Sequence, residues 1–425
     1  MLVALVAAGC SDSDTKPDAG DAKAGEGTVG DTGSGDTSTT PYTPLIAEAE
    51  LKRIVSALAD DNMDGRDEGT PGGDKARAYV IDELKKCNVT PAGDGGTFEQ
   101  KITAGKGTNV IGKIEGSGSA AEKARHVVIS AHFDHLGNCQ GQICNGADDN
   151  AAGVAIVIRV ACALAKSPPK RSVIVALWDA EEPPTFLTAA MGSAFWVAHP
   201  TLPLASVDAA LVLDLVGGNL WPGYQNHFVL GAELSPEVKA AVIAAAKPPA
   251  LDAQRASLHL VEKTPLGDQP WSDYHDFRLK NIPVLFFSNG QNKAYHTGGD
   301  EIAGLNLPKM TLEADWLLSI TEQLGNRSGD AAPTFNATAM DNENDASALV
   351  KVIEAALDPE GLAKMVGSVS RGNLKKDLDA VKAAKAKVDG GGQLSAAEVG
   401  SLRSAVQRIM CLAGTSYPEN ICNIL

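Results

Sequence analysis

The chain has 425 residues, 44% hydrophobic and 21% charged, enough apolar content for a sizeable core in one large domain with appendages. Its 37 basic residues against 53 acidic ones leave a formal charge of −16, which argues against a nucleic-acid partner, since that needs a basic face. No run is long and apolar enough to span a bilayer as a helix.

The first ten residues, "MLVALVAAGC", form a short apolar run ending in small residues and Cys10. Their "AAGC" resembles the cleavage and lipidation site of a bacterial lipoprotein signal, although no Lys or Arg precedes the apolar stretch. Residues 1–10 are therefore read as a lipoprotein-type signal segment with a lipid anchor at Cys10. Residues 11–43, rich in Ser, Asp, Gly and Thr, are read as a disordered acidic tether, because they cannot bury enough surface to fold. This places the protein outside the cytoplasm, as a cell-envelope lipoprotein on the periplasmic or surface side, or secreted. Without Cys10 an even six cysteines remain, which suits an oxidising setting. Cys139 with Cys144 and Cys411 with Cys422 are close pairs in sequence. Cys162 sits among apolar residues and reads as core, and no CxxC spacing supports a thiolate zinc site.

Residues 44–326 are expected to form the main domain. Up to about residue 90 the pattern is helical, in "IAEAELKRIVSALAD" and "DKARAYVIDELKKCNV". The intervening "DDNMDGRDEGTPGG" imitates the start of a calcium loop, but Pro71 stands where a bidentate Glu is required, so it reads as a polar loop. From about 109 strands alternate with helices. "HVVISAHFDHLG", "RSVIVALWDAEE", "DAALVLDLVGG" and "IPVLFFS" are apolar strands, most of them running into polar residues, and residues 150–166 are an apolar helix. Such a pattern predicts an α/β fold with a mostly parallel mixed sheet sandwiched by helices, whose ligands bind beyond the carboxyl ends of the strands. Residues 327–344 read as a linker, and residues 345–425 as a C-terminal helical appendage of no legible function.

The polar residues at the strand ends are the candidate chemistry. "HFDH" places His132 and Asp134 on one side of an extended strand, as an imidazole ligand and the carboxylate behind it would be. "GADDN" offers Asp148 and Asp149, "DAEE" offers Glu181 and Glu182, "LDLVGG" offers Asp214, and "AYHTGGDE" offers His296. Each alone is more simply a cap, a turn or a solvated charge. Together they fall at one end of one inferred sheet, and Asp214 sits in an otherwise apolar strand where an unpaired carboxylate is costly. Two His and three carboxylates exceed one tetrahedral zinc and suit two ions sharing a carboxylate.

At these residues the sequence resembles the di-zinc exopeptidases that include secreted bacterial aminopeptidases and glutamate carboxypeptidase. The matching pieces are "GRDEGTPGGDKARAYVIDELKK", "SAHFDHLG", "GADDNAAGVA", "LWDAEE", "LVLDLVGG", "SDYHDFRLKNIPVLFF" and "YHTGGDE", in the family's order, over roughly residues 45–325. The resemblance implies a phosphorylase/hydrolase-like fold and two Zn2+ ions. It assigns His132, Asp149, Glu182, Asp214 and His296 as metal ligands, with Asp149 bridging. Asp134 becomes the partner of His132, Glu181 the general base for a metal-bridging hydroxide, and Tyr295 a residue that steadies the oxyanion. Asp148 and Asn150 are left to start the following helix. The implied activity is an aminopeptidase acting on peptides; a carboxypeptidase, or a glutaminyl-cyclase-like acyltransferase using one zinc, are the alternatives on the same fold. Retention of every ligand position favours a two-metal hydrolase over a cyclase or a non-catalytic binding protein. No G-x-S-x-G elbow supports a serine hydrolase. One departure is "PPTFLTAAMGS", which stands where the family closely follows its paired glutamates with a Gly-Leu-x-Gly-Ser run; another is the loop "GNCQGQIC" between His132 and Asp149. The pattern says nothing about oligomeric state.

Overall fold

The computed structural model describes residues 42–139, 141–264 and 267–414. The signal-type segment with Cys10, nearly all of the tether, and Cys422 lie outside the described residues. Tyr42 is already tied down: its hydroxyl donates to Asp315 at 2.7 Å, and the amides of Leu45 and Ile46 donate to the same carboxylate.

Nine strands make the central sheet. In chain order its first four are β1 (Thr90–Pro91), β2 (Glu99–Lys101), β3 (Thr108–Ile114) and β4 (His126–His132). A hairpin of β5 (Asn138–Cys139) and β6 (Gln142–Ile143) stands apart. Then β7 (Ser172–Trp178), β8 (Val207–Leu213), β9 (Asn226–Leu230) and β10 (Asp252–Ala256) rejoin the sheet. A second hairpin, β11 (Lys263–Thr264) with β12 (Gly267–Asp268), precedes β13 (Val284–Ser288). The order across the sheet is β1-β3-β7-β4-β8-β13-β9-β10, with β2 also on β3. Strands β7, β4, β8 and β13 run parallel. Strand β3 pairs antiparallel with β7, and β9 antiparallel with β13. The sheet is mixed and mostly parallel at its centre, as the continuous apolar strands predict.

Both faces are covered. Val127, Ile129 and Ala131 of β4, with Val173, Val175 and Leu177 of β7, point to one face. There they meet α1 (Glu48–Leu58), α2 (Pro71–Lys86), α4 (Gly153–Lys166), α6 (Pro236–Ala244) and α9 (Leu307–Gly325). The alternate residues Val128, Ile174, Ala176 and Trp178 point the other way, against Trp196 of α5 (Gly192–Ala198), Leu258 of the short α7 (Leu258–Glu262), and Tyr274 and Phe277 of α8 (Tyr274–Leu279); α3 (Ala120–Lys123) is a single turn before β4. Period-two alternation with apolar residues on both sides is what a buried parallel sheet requires.

A third apolar cluster joins α10 (Asn342–Leu357), α11 (Ser368–Asp389) and α12 (Ala396–Ala413) to Leu220, Trp221 and Leu260. Cys87, at the end of α2, is disulfide-bonded to Cys162 of α4, so Cys162 is buried in the core and is also one half of a staple. Cys139 pairs with Cys144 and closes the β5–β6 hairpin. Cys411 is also disulfide-bonded. No helix among the described residues is long and apolar enough to cross a membrane.

Candidate metal and active site

The parallel strands deliver their polar residues to one place. His132 is the last residue of β4, Glu181 and Glu182 follow β7, Asp214 follows β8, and His296 lies in the loop after β13. Asp149 comes from the wide turn Ala147–Ala152 that opens α4. His132, Asp149, Glu181, Glu182 and Asp214 are all buried.

Asp149 faces two groups, one with each oxygen. Its Oδ1 is 3.3 Å from His132 Nε2, which is also 3.6 Å from Asp214 Oδ1. Its Oδ2 is 3.2 Å from His296 Nε2, which is 3.0 Å from Glu182 Oε2. His135 completes the second group, with Nδ1 at 2.7 Å from Glu182 Oε1 and 3.9 Å from Asp149 Oδ2. Two sets, His132–Asp149–Asp214 and His135–Asp149–Glu182, each bring one donor atom per residue within 4.8 Å of one another. Glu181 Oε2 lies 3.8 Å from His132 Nε2, and Glu181 forms a further set with His132 of the first and Glu182 of the second. Asp134 stands behind His132, its Oδ1 3.6 Å from Nδ1, while its Oδ2 accepts from the Glu182 amide at 3.1 Å. Tyr295 stacks on His296 with ring centroids 3.7 Å apart and shares the same cavity wall.

The electrostatics of this cluster call for a cation. Burial pushes the Glu181 carboxyl well above its usual range, and Asp214, Asp273 and Glu182 push further against the opposing His132. Burial also raises Asp214. For His132 burial acts downward, but Glu181, Asp134, Asp149 and Asp214 outweigh it and hold the imidazole well above its ordinary value. The atoms His132 Nε2, Asp149 Oδ2, Asp214 Oδ1 and His296 Nε2 are buried without a hydrogen-bond partner. Converging orphan donors and acceptors of mixed imidazole and carboxylate type are what zinc takes up. The residues present fit such an ion.

The backbone is built around this convergence. The amides of Asp148 and Asp149 donate to Asp300 at 2.9 and 3.0 Å, joining the Asp149 turn to the His296 loop. Asp148 does not start the helix as expected. Its carboxylate accepts from the amides of Gly217 and Gly218 and from Asn292 Nδ2, so it ties the β8 and β13 loops together. Asn150 does serve the helix start, with Oδ1 accepting from the Gly153 amide, and its Nδ2 donates to Leu213 O. Gly146 has φ +54°, and a Cβ there would lie 2.1 Å from Asp149 O, so only glycine fits. Ala180, Leu215 and His296 hold left-handed φ values of 62°, 55° and 57°. Each costs about 1–2 kcal/mol and lies at or beside a candidate ligand or the candidate base, where the surrounding contacts maintain it.

Beneath the turn lies Arg66, fully buried. Its guanidinium donates to the carbonyls of Phe133, Leu58, Asn145, Gly146 and Asp149. Sequence reasoning missed Arg66, His135 and Asp300 as parts of the site. All three lie within the quoted motifs, and His135 was legible as a third polar residue of "HFDH" at the end of β4.

Residues 109–320 match peptidase family M28. Uncharacterized protein YfbL of Escherichia coli is 28% identical over 217 residues, covering 46% of this chain and 65% of that protein, so the chain spans a little under two thirds of this relative's length. The LapA aminopeptidase of Legionella pneumophila superposes with a TM-score of 0.53 at 18% identity, over 67% of this chain and 72% of that one. BSAP, a zinc aminopeptidase from Bacillus subtilis, superposes with a TM-score of 0.52 at 15% identity, over 70% of this chain and 100% of that one. At these identities the two structures speak for the fold. Strand ends that gather imidazoles and carboxylates in this order, on this sheet, lie within the segment that matches peptidase family M28, a family of the zinc exopeptidase kind its motifs resemble.

Proposed function

We propose that the protein is an exported di-zinc aminopeptidase that removes N-terminal residues from peptides. The observation that carries this reading is Asp149, which offers one oxygen to each of two buried donor sets while Glu181 lies near His132 of one and Glu182 of the other. His132 and Asp214 would hold one ion, Glu182 and His296 the other, and Asp149 both. Zinc bound there acidifies a water and polarises the scissile carbonyl.

The chain's own groups do the rest. Asp134 orients the His132 ring through Nδ1 and fixes the Glu182 backbone, so both are held before substrate arrives. Glu181 takes a proton from the attacking water on a carboxylate oxygen and passes it to the leaving amine. Tyr295, stacked on His296 in the cavity wall, steadies the developing oxyanion with its hydroxyl. The cavity of about 380 Å3 beside the site is lined by Asp149, Glu181, Glu182 and Asp214, with no Lys or Arg lining it among the described residues. That lining suits the free ammonium of a peptide N-terminus and offers no cation to an α-carboxylate, which favours an aminopeptidase over a carboxypeptidase. The described disulfides support folding in an oxidising compartment, and hence export.

Hydrolysis of amino-acid anilides, compared with N-blocked peptides with and without a chelator, tests the reading. Anilide cleavage abolished by chelation is expected. Cleavage of blocked peptides alone, at their C-termini, selects the carboxypeptidase, and cyclisation of N-terminal glutamine without hydrolysis selects the transferase. Glu181→Gln is expected to keep fold and zinc while kcat falls at least about 100-fold; a fully active variant refutes the assigned base.

A further inference from the structure

The cavity beside the site has two unlike parts to its lining. One part is the carboxylates and His296; the other is apolar and includes residues beyond the family-matched segment. Leu349 and Val352 of α10, with Val406, Ile409 and Met410 of α12, line it together with core residues such as Phe286. We propose that these C-terminal helices are a substrate-binding element, the wall of a pocket that takes the bulky apolar side chain of a peptide's N-terminal residue. The proposal rests on the aminopeptidase reading above and extends it to a substrate class and to residues 342–413.

Three observations carry it. The pocket is continuous with the candidate site, and no Lys or Arg lines it among the described residues. A charged side chain set against its apolar lining would therefore lose hydration without a partner, whereas a leucyl or phenylalanyl side chain would gain by burial. The wall is also held in place. Gln407 of α12 donates to Lys263 O at 2.8 Å, Lys239 pairs with Asp341 at 2.7 Å, and the Ser257 amide donates to the buried Asp345 of α10 at 2.6 Å. Finally, the helices share one apolar cluster with Leu220 and Leu260, which themselves line the cavity, so wall and catalytic body are one packed unit. Helices that only decorated the fold would not need apolar residues facing a cavity at the active centre.

The test compares Ile409→Ala, which widens the pocket, and Val352→Trp, which fills it, with Val381→Ala. Val381 is buried in the same helical cluster but does not line the cavity, so it reports packing loss alone. One measurement is the ratio of kcat/KM for leucyl over alanyl anilide. Another is binding of leucinol and alaninol, which cannot be hydrolysed, read by titration calorimetry. Wild type and Val381→Ala should prefer the leucyl compounds at least about tenfold. Ile409→Ala should lose most of that preference, mainly through KM, and Val352→Trp should weaken leucinol binding while sparing alaninol, as apolar pockets discriminate by about 10–200-fold. Equal binding of leucinol and alaninol to wild type, or an unchanged preference in both pocket variants, overturns the proposal. Leucinol preference without any anilide cleavage leaves the pocket standing and overturns the aminopeptidase reading instead.

Discussion

Arg66→Lys is the substitution whose effect the structure defines best. Arg66 is 0% exposed, and its guanidinium donates to five main-chain carbonyls. Burial pushes its pKa down to about 10, against the pull of Asp149, Asp300, Asp134 and Glu182. It therefore stays charged near neutrality and answers the carboxylates of the site from below. A lysine keeps the charge but has three donors where the guanidinium has five in a fixed fork. At least two of the five buried carbonyls then lose their donor, at about 1–3 kcal/mol each, a cost of roughly 2–6 kcal/mol. Since Asn145, Gly146 and Asp149 supply three of those carbonyls, the turn that aims Asp149 loosens as well. Loss of such support lowers metal affinity by about 10–100-fold. Urea unfolding of the zinc-loaded and zinc-free protein, together with zinc titration against a competing chelator, measures both effects. A variant with wild-type midpoint and zinc affinity refutes the claim that Arg66 holds the turn.

Other perturbations separate other parts of the argument. His135→Ala removes the 2.7 Å partner of Glu182, and zinc affinity should fall about 10–100-fold in the same titration; unchanged affinity would make His135 a bystander. Replacing both Cys87 and Cys162 by Ala releases a cross-link between residues 75 apart, which should cost roughly 4 kcal/mol in urea unfolding, and a reductant, which also opens the other disulfides in both proteins, should destabilise wild type more than the variant by that amount. Asp345 is buried, and its carboxyl is pushed up to about 7 by that burial. The folded chain thus holds this proton where the unfolded chain releases it near 3.8, so the stability it gives is complete below that value and is lost as pH rises through about 7. Asp345→Asn should therefore gain more stability at pH 8 than at pH 5, by about 2–3 kcal/mol, and an equal gain at both pH values would deny the buried titration.

What sequence could reveal here follows from how far each interaction reaches. Strands β4, β7, β8 and β13 were legible because a strand covered on both faces must be apolar at every position, and the chain writes this locally. Their parallel arrangement then sends His132, Glu181, Glu182 and Asp214 to one edge without any contact having to be known. Arg66, Asp300 and the Cys87–Cys162 bond were not legible as partners, because each acts across tens to hundreds of residues and only the packed fold brings the ends together. The C-terminal helices were legible as helices for the same local reason, but an apolar stripe does not name the surface it covers. The two aspartates of "GADDN" show the limit most sharply. Both carboxylates looked equally able to cap a helix or hold a metal. The closing amides of Gly217 and Gly218, 69 and 70 residues further on, claim Asp148, while the Asp149 side chain faces the imidazoles of His132 and His296. An exchange of the two roles would leave two glycine amides unpaired on one side and a carboxylate without its imidazoles on the other, so the same sheet that gathers the ligands also decides which aspartate is one of them.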